Sequence, residues 1–121
     1  MSEQPIRKLL FVCSMNKCRS LTAEKMLQRS DCYQVRSRGT AKGARIRLTD
    51  QDIGWADAIF TMEKKHTELI RTRFRTSGKP LTTLFIKDIY QPMEPALQDV
   101  LRTKLAAHIL LPEAPESSLV R

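Results

Sequence analysis

An α/β fold is what this sequence predicts: three layers, α/β/α, around a four-stranded parallel sheet. Three observations carry the prediction. Short apolar runs alternate with stretches of helical periodicity along almost the whole chain. The first run, LLFVC, is continuously apolar rather than alternating, as in a strand covered on both faces. The links between runs are short and carry glycine, proline or capping residues, so consecutive strands are joined through helices and lie parallel. With 121 residues the chain has the size of one domain and can bury a core without staples.

Residues 6–13, IRKLLFVC, form the first strand. Ser20 is a good N-cap for the first helix, where Ala23, Met26 and Leu27 recur at helical spacing. CYQVRSRGT, residues 32–40, alternates as the second strand, and Gly39 closes it. AKGARIRLTD turns at Gly43, and Thr49 or Asp50 caps a short helix through Ile53. ADAIFTM, residues 56–62, is the third strand. The next helix runs from Glu63 to about Phe74 with Met62, His66, Leu69, Ile70 and Phe74 near one face; Gly78 and Pro80 end it. LTTLFI, residues 81–86, is the last strand. Pro95 suits the first turn of a final helix with Leu97, Val100, Leu101, Leu105 and Ile109 inside. The domain spans residues 1–110, and the Pro- and Ser-rich residues 111–121 form a flexible tail. In such folds ligands bind at the C-terminal ends of the strands, where Cys13, Met62 and the segment after Ile86 would lie.

Composition narrows the function. The chain is 41% hydrophobic and 28% charged, the balance of a soluble globular protein. Its net charge of +8 favours anionic partners. Nucleic acid is disfavoured among these, since aromatic residues make up only 6% and leave little to stack on bases. Arg71, Arg73, Arg75 and Lys79 form a solvated basic helix face and the turn after it. The three cysteines, Cys13, Cys18 and Cys32, fit no zinc framework with His66 and His108, so no metal is expected. No run approaches a membrane span, and the first apolar run is too short for a signal or lipoprotein segment. A cytoplasmic setting with free thiols is the expectation.

The chemistry concentrates in residues 13–20, Cys-Ser-Met-Asn-Lys-Cys-Arg-Ser, between the first strand and the first helix. A loop of this length can curl until several backbone N–H groups point at one centre, which with the helix dipole makes an anion-binding bowl. Cys13 would lie at its base as a nucleophile, its thiolate held by the same N–H groups. Arg19 could fork two hydrogen bonds onto a bound phosphate. Ser20 is placed to donate to the cysteine sulfur or to cap the helix. Asn16 is the residue type that best tolerates a left-handed turn.

This loop resembles the signature of the low-molecular-weight protein tyrosine phosphatases: a cysteine, five residues, an arginine and a serine, with an asparagine and a second cysteine between. SRGT, residues 37–40, resembles the family's Ser-Ala-Gly-Thr. RLTDQDIGWADAIFTMEKKHTELI resembles its Asp-containing turn, third strand and Met-Asp-led helix. The resemblance runs from about Lys8 to Ile109. It implies a phosphate-binding loop after the first strand and hydrolysis of phosphate monoesters without metal or cofactor, most of all phosphotyrosine in proteins or small aryl phosphates. By similarity Cys13 attacks phosphorus, Arg19 and the loop residues Ser14, Met15, Asn16, Lys17, Cys18 and Ser20 hold the phosphate, and a cysteinyl-phosphate forms. The family's general acid sits in Asp-Pro-Tyr after the last strand. Here the segment reads FIKDIYQPMEP, so Asp88 takes that role with Tyr90 as a wall for an aromatic ring. Glu94, before Pro95, is a rival carboxylate whose plain role is a helix cap.

The departures are specific. Ile89 replaces the proline, Met15 stands where glycine is common, and the tryptophan often found after Ser-Ala-Gly-Thr is missing, which leaves Trp55 to pack the short helix. Lys17 favours an acidic substrate and disfavours a phosphorylated guanidinium. In the resembled family Cys13 and Cys18 pair to protect the nucleophile; the plain role of Cys18 is a small loop filler. Arsenate reductases of the same fold need further downstream cysteines, and none follows Cys32. Ile89 and Met15 also support an alternative, a weak or inactive phosphate- or phosphoprotein-binding module.

Overall fold

The computed structural model describes residues 6–111. Four strands, β1 (Lys8–Cys13), β2 (Gln34–Gly39), β3 (Ala58–Thr61) and β4 (Leu81–Thr83), alternate with four helices, α1 (Arg19–Leu27), α2 (Asp50–Trp55), α3 (Lys64–Arg73) and α4 (Pro95–Leu105). All strand pairs are parallel, in the order β2-β1-β3-β4. The predicted α/β architecture is therefore present, with β1 central and its C-terminal end at Cys13.

The continuous apolar run of β1 serves two cores, because successive side chains leave a strand on opposite faces. Leu9, Phe11 and Cys13 join Ala23 and Leu27 of α1 and Leu97, Leu101 and Leu105 of α4. Leu10 and Val12 join Ile53 of α2 and Ile70 of α3 on the other face. The nucleophile candidate thus belongs to the α1/α4 layer, and α3 approaches the end of the sheet from the opposite layer. Among the described residues no helix is long and apolar enough to cross a membrane.

Several elements differ from expectation. The first helix starts at Arg19 with Cys18 as its N-cap; Ser20 lies inside the first turn, its hydroxyl engaged elsewhere. The short helix extends to Trp55, with Thr49 as cap in a capping box with Asp52. Trp55 stacks under the Arg36 guanidinium, 4.3 Å from the ring centroid. β4 ends three residues early because Phe85 adopts φ 57°, although the N–H groups of Leu84 and Ile86 still reach the Thr61 and Met62 carbonyls. α4 stops at Leu105, and Ile109 is buried from the turn beyond it. Lys79 is no free cation: its ammonium donates to the Ile53 and Gly54 carbonyls at the end of α2. The expected tail falls largely on residues 112–121, outside the described residues.

Candidate active site

Residues 14–18 carry the chain from β1 into α1, and neighbouring backbone fixes their carbonyls. The oxygens of Cys13, Ser14 and Met15 accept from the N–H groups of Thr40 (3.0 Å), Ala41 (3.0 Å) and Arg45 (2.9 Å). The Asn16 oxygen accepts from Arg45 Nε at 3.0 Å. Four successive carbonyls thus face the 40–45 segment, and among the described residues none of the N–H groups of residues 14–20 donates within the protein. Free, neighbouring N–H groups at a helix start are what an anion needs.

Gly39 permits this close approach. A Cβ there would lie 2.6 Å from the Ser14 oxygen and 2.5 Å from Ala44 Cβ, so any side chain would push the loop outward. Asn16 turns the loop with φ 61° and is wholly buried. Its Nδ2 donates to Ser20 Oγ at 2.9 Å, and Ser20 Oγ lies 3.0 Å from Cys13 Sγ. Ser20 Oγ accepts from Asn16, so its single proton has two acceptors within reach: the Cys13 sulfur and, at 3.4 Å, the Arg38 carbonyl. Among the described residues, Asn16 Oδ1 is buried without a partner.

Arg19 is buried, its side chain only 3% exposed. Its Nη1 donates to Glu63 Oε2 and, at 2.8 Å, to the Ile86 carbonyl. Nε lies 3.7 Å from Asp88 Oδ1. Nη1 therefore has both protons placed, and Nε and Nη2 remain as a two-pronged edge.

The opposite wall is the irregular segment between β4 and α4. Asp88 is 69% exposed, with Arg19 as its near charge. Tyr90 is half-buried against the α1/α4 core, and its carbonyl accepts the Cys18 S–H at 3.2 Å. Burial, then the negative charges of Asp88 and Cys13, push the Cys18 thiol above its ordinary range. Cys13, Cys18 and Cys32 are all free thiols. Glu94 Oε1 accepts from the Gln91 N–H at 2.8 Å, closing the turn before α4 rather than capping its first amides. Met15 and Lys17 are exposed on the loop.

The candidates thus meet: Cys13, Ser14, Asn16, Cys18, Arg19 and Ser20 through the loop, and Asp88 through its approach to Arg19. Two groups at this place were missed by sequence reasoning. Glu63, the N-cap of α3, holds Arg19, and Arg19 in turn draws its carboxyl below the usual carboxylate range. His66 is buried; its Nδ1 accepts from the Glu63 N–H at 3.1 Å and its Nε2 meets Ser14 Oγ at 2.9 Å. Burial and the neighbouring Arg19 lower His66 to about 4, so its imidazole is neutral at neutral pH. A histidine on the buried face of an amphipathic helix looks like packing; only its place beside a strand C-terminus hinted otherwise. Among the described residues no cluster of His, Cys, Asp and Glu could hold a metal ion.

No protein-family model and no curated sequence matches the chain. Solved structures do. The tyrosine phosphatase Wzb from Escherichia coli K30, in complex with phosphate, aligns over 85% of this chain and 96% of its own at 22% identity, with a TM-score of 0.68. The low-molecular-weight protein tyrosine phosphatase SP-PTP from Streptococcus pyogenes aligns over 94% and 98% at 16% identity, TM-score 0.64. The arginine phosphatase YwlE from Geobacillus stearothermophilus aligns over 89% and 100% at 20% identity, TM-score 0.54. With its parallel sheet and the cysteine loop at the end of β1, this chain has the fold of the low-molecular-weight protein tyrosine phosphatases.

Proposed function

We propose that the protein is a cysteine-dependent phosphate monoester hydrolase acting on phosphotyrosine in proteins or on related aryl phosphates. One observation supports the reading: Cys13 and Arg19 bracket one loop at the end of β1 whose N–H groups make no hydrogen bond among the described residues, and the Asp88 carboxylate lies 3.7 Å from Arg19 Nε. In the first step a lone pair of the Cys13 thiolate forms an S–P bond as the P–O bond to the leaving group breaks. Asp88 delivers its proton to the departing oxygen, and Ser20 donates to the sulfur. The loop amides and Arg19 hold the negative charge spread over the equatorial oxygens, the main demand of phosphoryl transfer. In the second step Asp88 takes a proton from water as the water oxygen attacks phosphorus. The S–P bond breaks, inorganic phosphate leaves and the thiolate returns.

Burial of Cys13 supports an aryl ester, since a phenyl spacer carries phosphorus further from a peptide backbone than the single methylene of serine. Tyr90 is available as the ring wall, and the exposed Lys17 disfavours a phosphorylated guanidinium. The test is hydrolysis of p-nitrophenyl phosphate in the presence of chelator. Cys13→Ser is expected to abolish turnover, and Asp88→Asn to lower kcat by roughly 10²–10⁴. A reduced native protein that binds phosphate without turnover would replace the enzyme by a phosphate-binding module, a reading favoured by the exposed Asp88, which among the described residues has no hydrogen bond to orient it.

A further inference from the structure

We propose that the first turn of α3 is a positioning clamp for the anion loop, with Glu63 setting the rotation of the Arg19 guanidinium and His66 holding Ser14. This inference rests on the phosphatase reading and names two residues that reading does not use. A guanidinium is a rigid plane, so placing both protons of one terminal nitrogen fixes its whole orientation. Glu63 Oε2 and the Ile86 carbonyl do this at Nη1, which leaves Nε and Nη2 as the parallel pair that matches two phosphate oxygens. At the other end of the loop, the Glu63 N–H donates to His66 Nδ1, so the imidazole proton resides on Nε2 and is donated to Ser14 Oγ. Ser14 begins the loop and Arg19 ends it. One helix cap therefore grips both ends through two adjacent contacts.

A carboxylate this close to a phosphate site would by charge alone repel the ligand. Glu63 is tolerated because it acts on the far side of the guanidinium, where its role is to accept a hydrogen bond. Two variants separate these effects. Glu63→Gln keeps the acceptor and removes the charge, whereas Glu63→Ala removes both. Kinetics on p-nitrophenyl phosphate and calorimetric titration with inorganic phosphate would be run on the native chain and both variants. Glu63→Ala is expected to lower kcat about 10–100-fold and weaken phosphate binding, the cost of a misplaced charge-stabilising group. Glu63→Gln is expected to stay within about 5-fold of native kcat and to bind phosphate at least as tightly.

An Arg19→Lys background supplies the readout that a merely structural role would not move. Lysine has no plane to orient, so adding Glu63→Ala there should cost almost nothing further. Native values in Glu63→Ala, equal damage in Glu63→Gln, or full additivity on Arg19→Lys would each overturn the clamp. Absence of turnover in the native chain would sink the phosphatase reading alone, because the phosphate titrations still decide the clamp. A native chain that does not bind phosphate would overturn both.

Discussion

The two walls around Cys13 are built differently. The wall formed by residues 13–20 is held by backbone: its carbonyls bond to the 40–45 segment, Asn16 and Ser20 brace the sulfur, and α3 grips both ends. The facing wall, residues 84–94, has left-handed residues at Phe85 (φ 57°) and Met93 (φ 62°), and its tip exposes Asp88 and Ile89. Binding a phosphate requires donors fixed in advance, since any reorganisation on binding subtracts from charge stabilisation. A proton donor must instead meet leaving groups of differing shape and let product out. Under the proposed function, that difference would give recognition to the first wall and proton transfer to the second.

The largest expected effect comes from breaking the rigid wall without touching a reacting group. Gly39→Ala places a Cβ within 2.6 Å of the Ser14 oxygen, so the loop must move. Turnover of p-nitrophenyl phosphate should fall more than about 100-fold and phosphate affinity should fall with it, with a stability loss of about 1–3 kcal/mol by urea titration. Normal phosphate binding in that variant would show that the loop's fit against β2 is not what shapes the bowl.

On the more exposed side of the comparison, the two carboxylates should separate cleanly. Glu94→Gln retains an acceptor for the Gln91 N–H and should leave kcat within about 3-fold, while Asp88→Asn loses roughly 10²–10⁴. The reverse order would make Glu94 the acid. Steady-state kinetics with a poor and a good leaving group sharpen the test, because only loss of the true acid is masked by a leaving group that needs no proton.

A further effect, on stability rather than turnover, concerns pH and the α3 cap. An unfolded chain binds a proton at His66 near its ordinary value of 6.5, whereas the folded chain resists protonation down to about 4. Between those values the unfolded state holds more protons, so stability falls as pH falls, by up to about 3 kcal/mol. Glu63, lowered by Arg19, adds its loss only below the ordinary carboxylate value of 4.5. Urea midpoints measured from pH 7 to pH 4.5 should decline in the native protein and stay nearly flat in His66→Gln. An equal slope in both would move the acid sensitivity to another group.

Much of this was legible before any coordinates. Apolar runs and helical spacing marked the eight elements, since burial against two helical layers demands continuous apolarity in central strands. The Cys13–Ser20 loop was legible because cysteine, arginine and serine lie within eight consecutive residues. Boundaries set by backbone strain or distant partners were not. Nothing in LTTLFI announces a left-handed Phe85, and a serine at a helix start looks like a cap until Asn16 and Cys13 are seen to claim its hydroxyl.

What the sequence by itself determined is therefore local: the alternation of elements and the grouping of Cys13, Asn16, Arg19 and Ser20 in one loop at the end of the first strand. Tertiary structure alone decided which groups from other elements complete the site. Glu63 and His66 lie 44 and 52 positions from Arg19 and Ser14, and they meet only because β1 and β3 pair in parallel and end together. The same packing brought Gly39 beneath Ser14 and the Ile86 carbonyl onto Arg19. Hydrogen bonds of that kind depend on ångström-scale register between strands, and local periodicity carries no record of it.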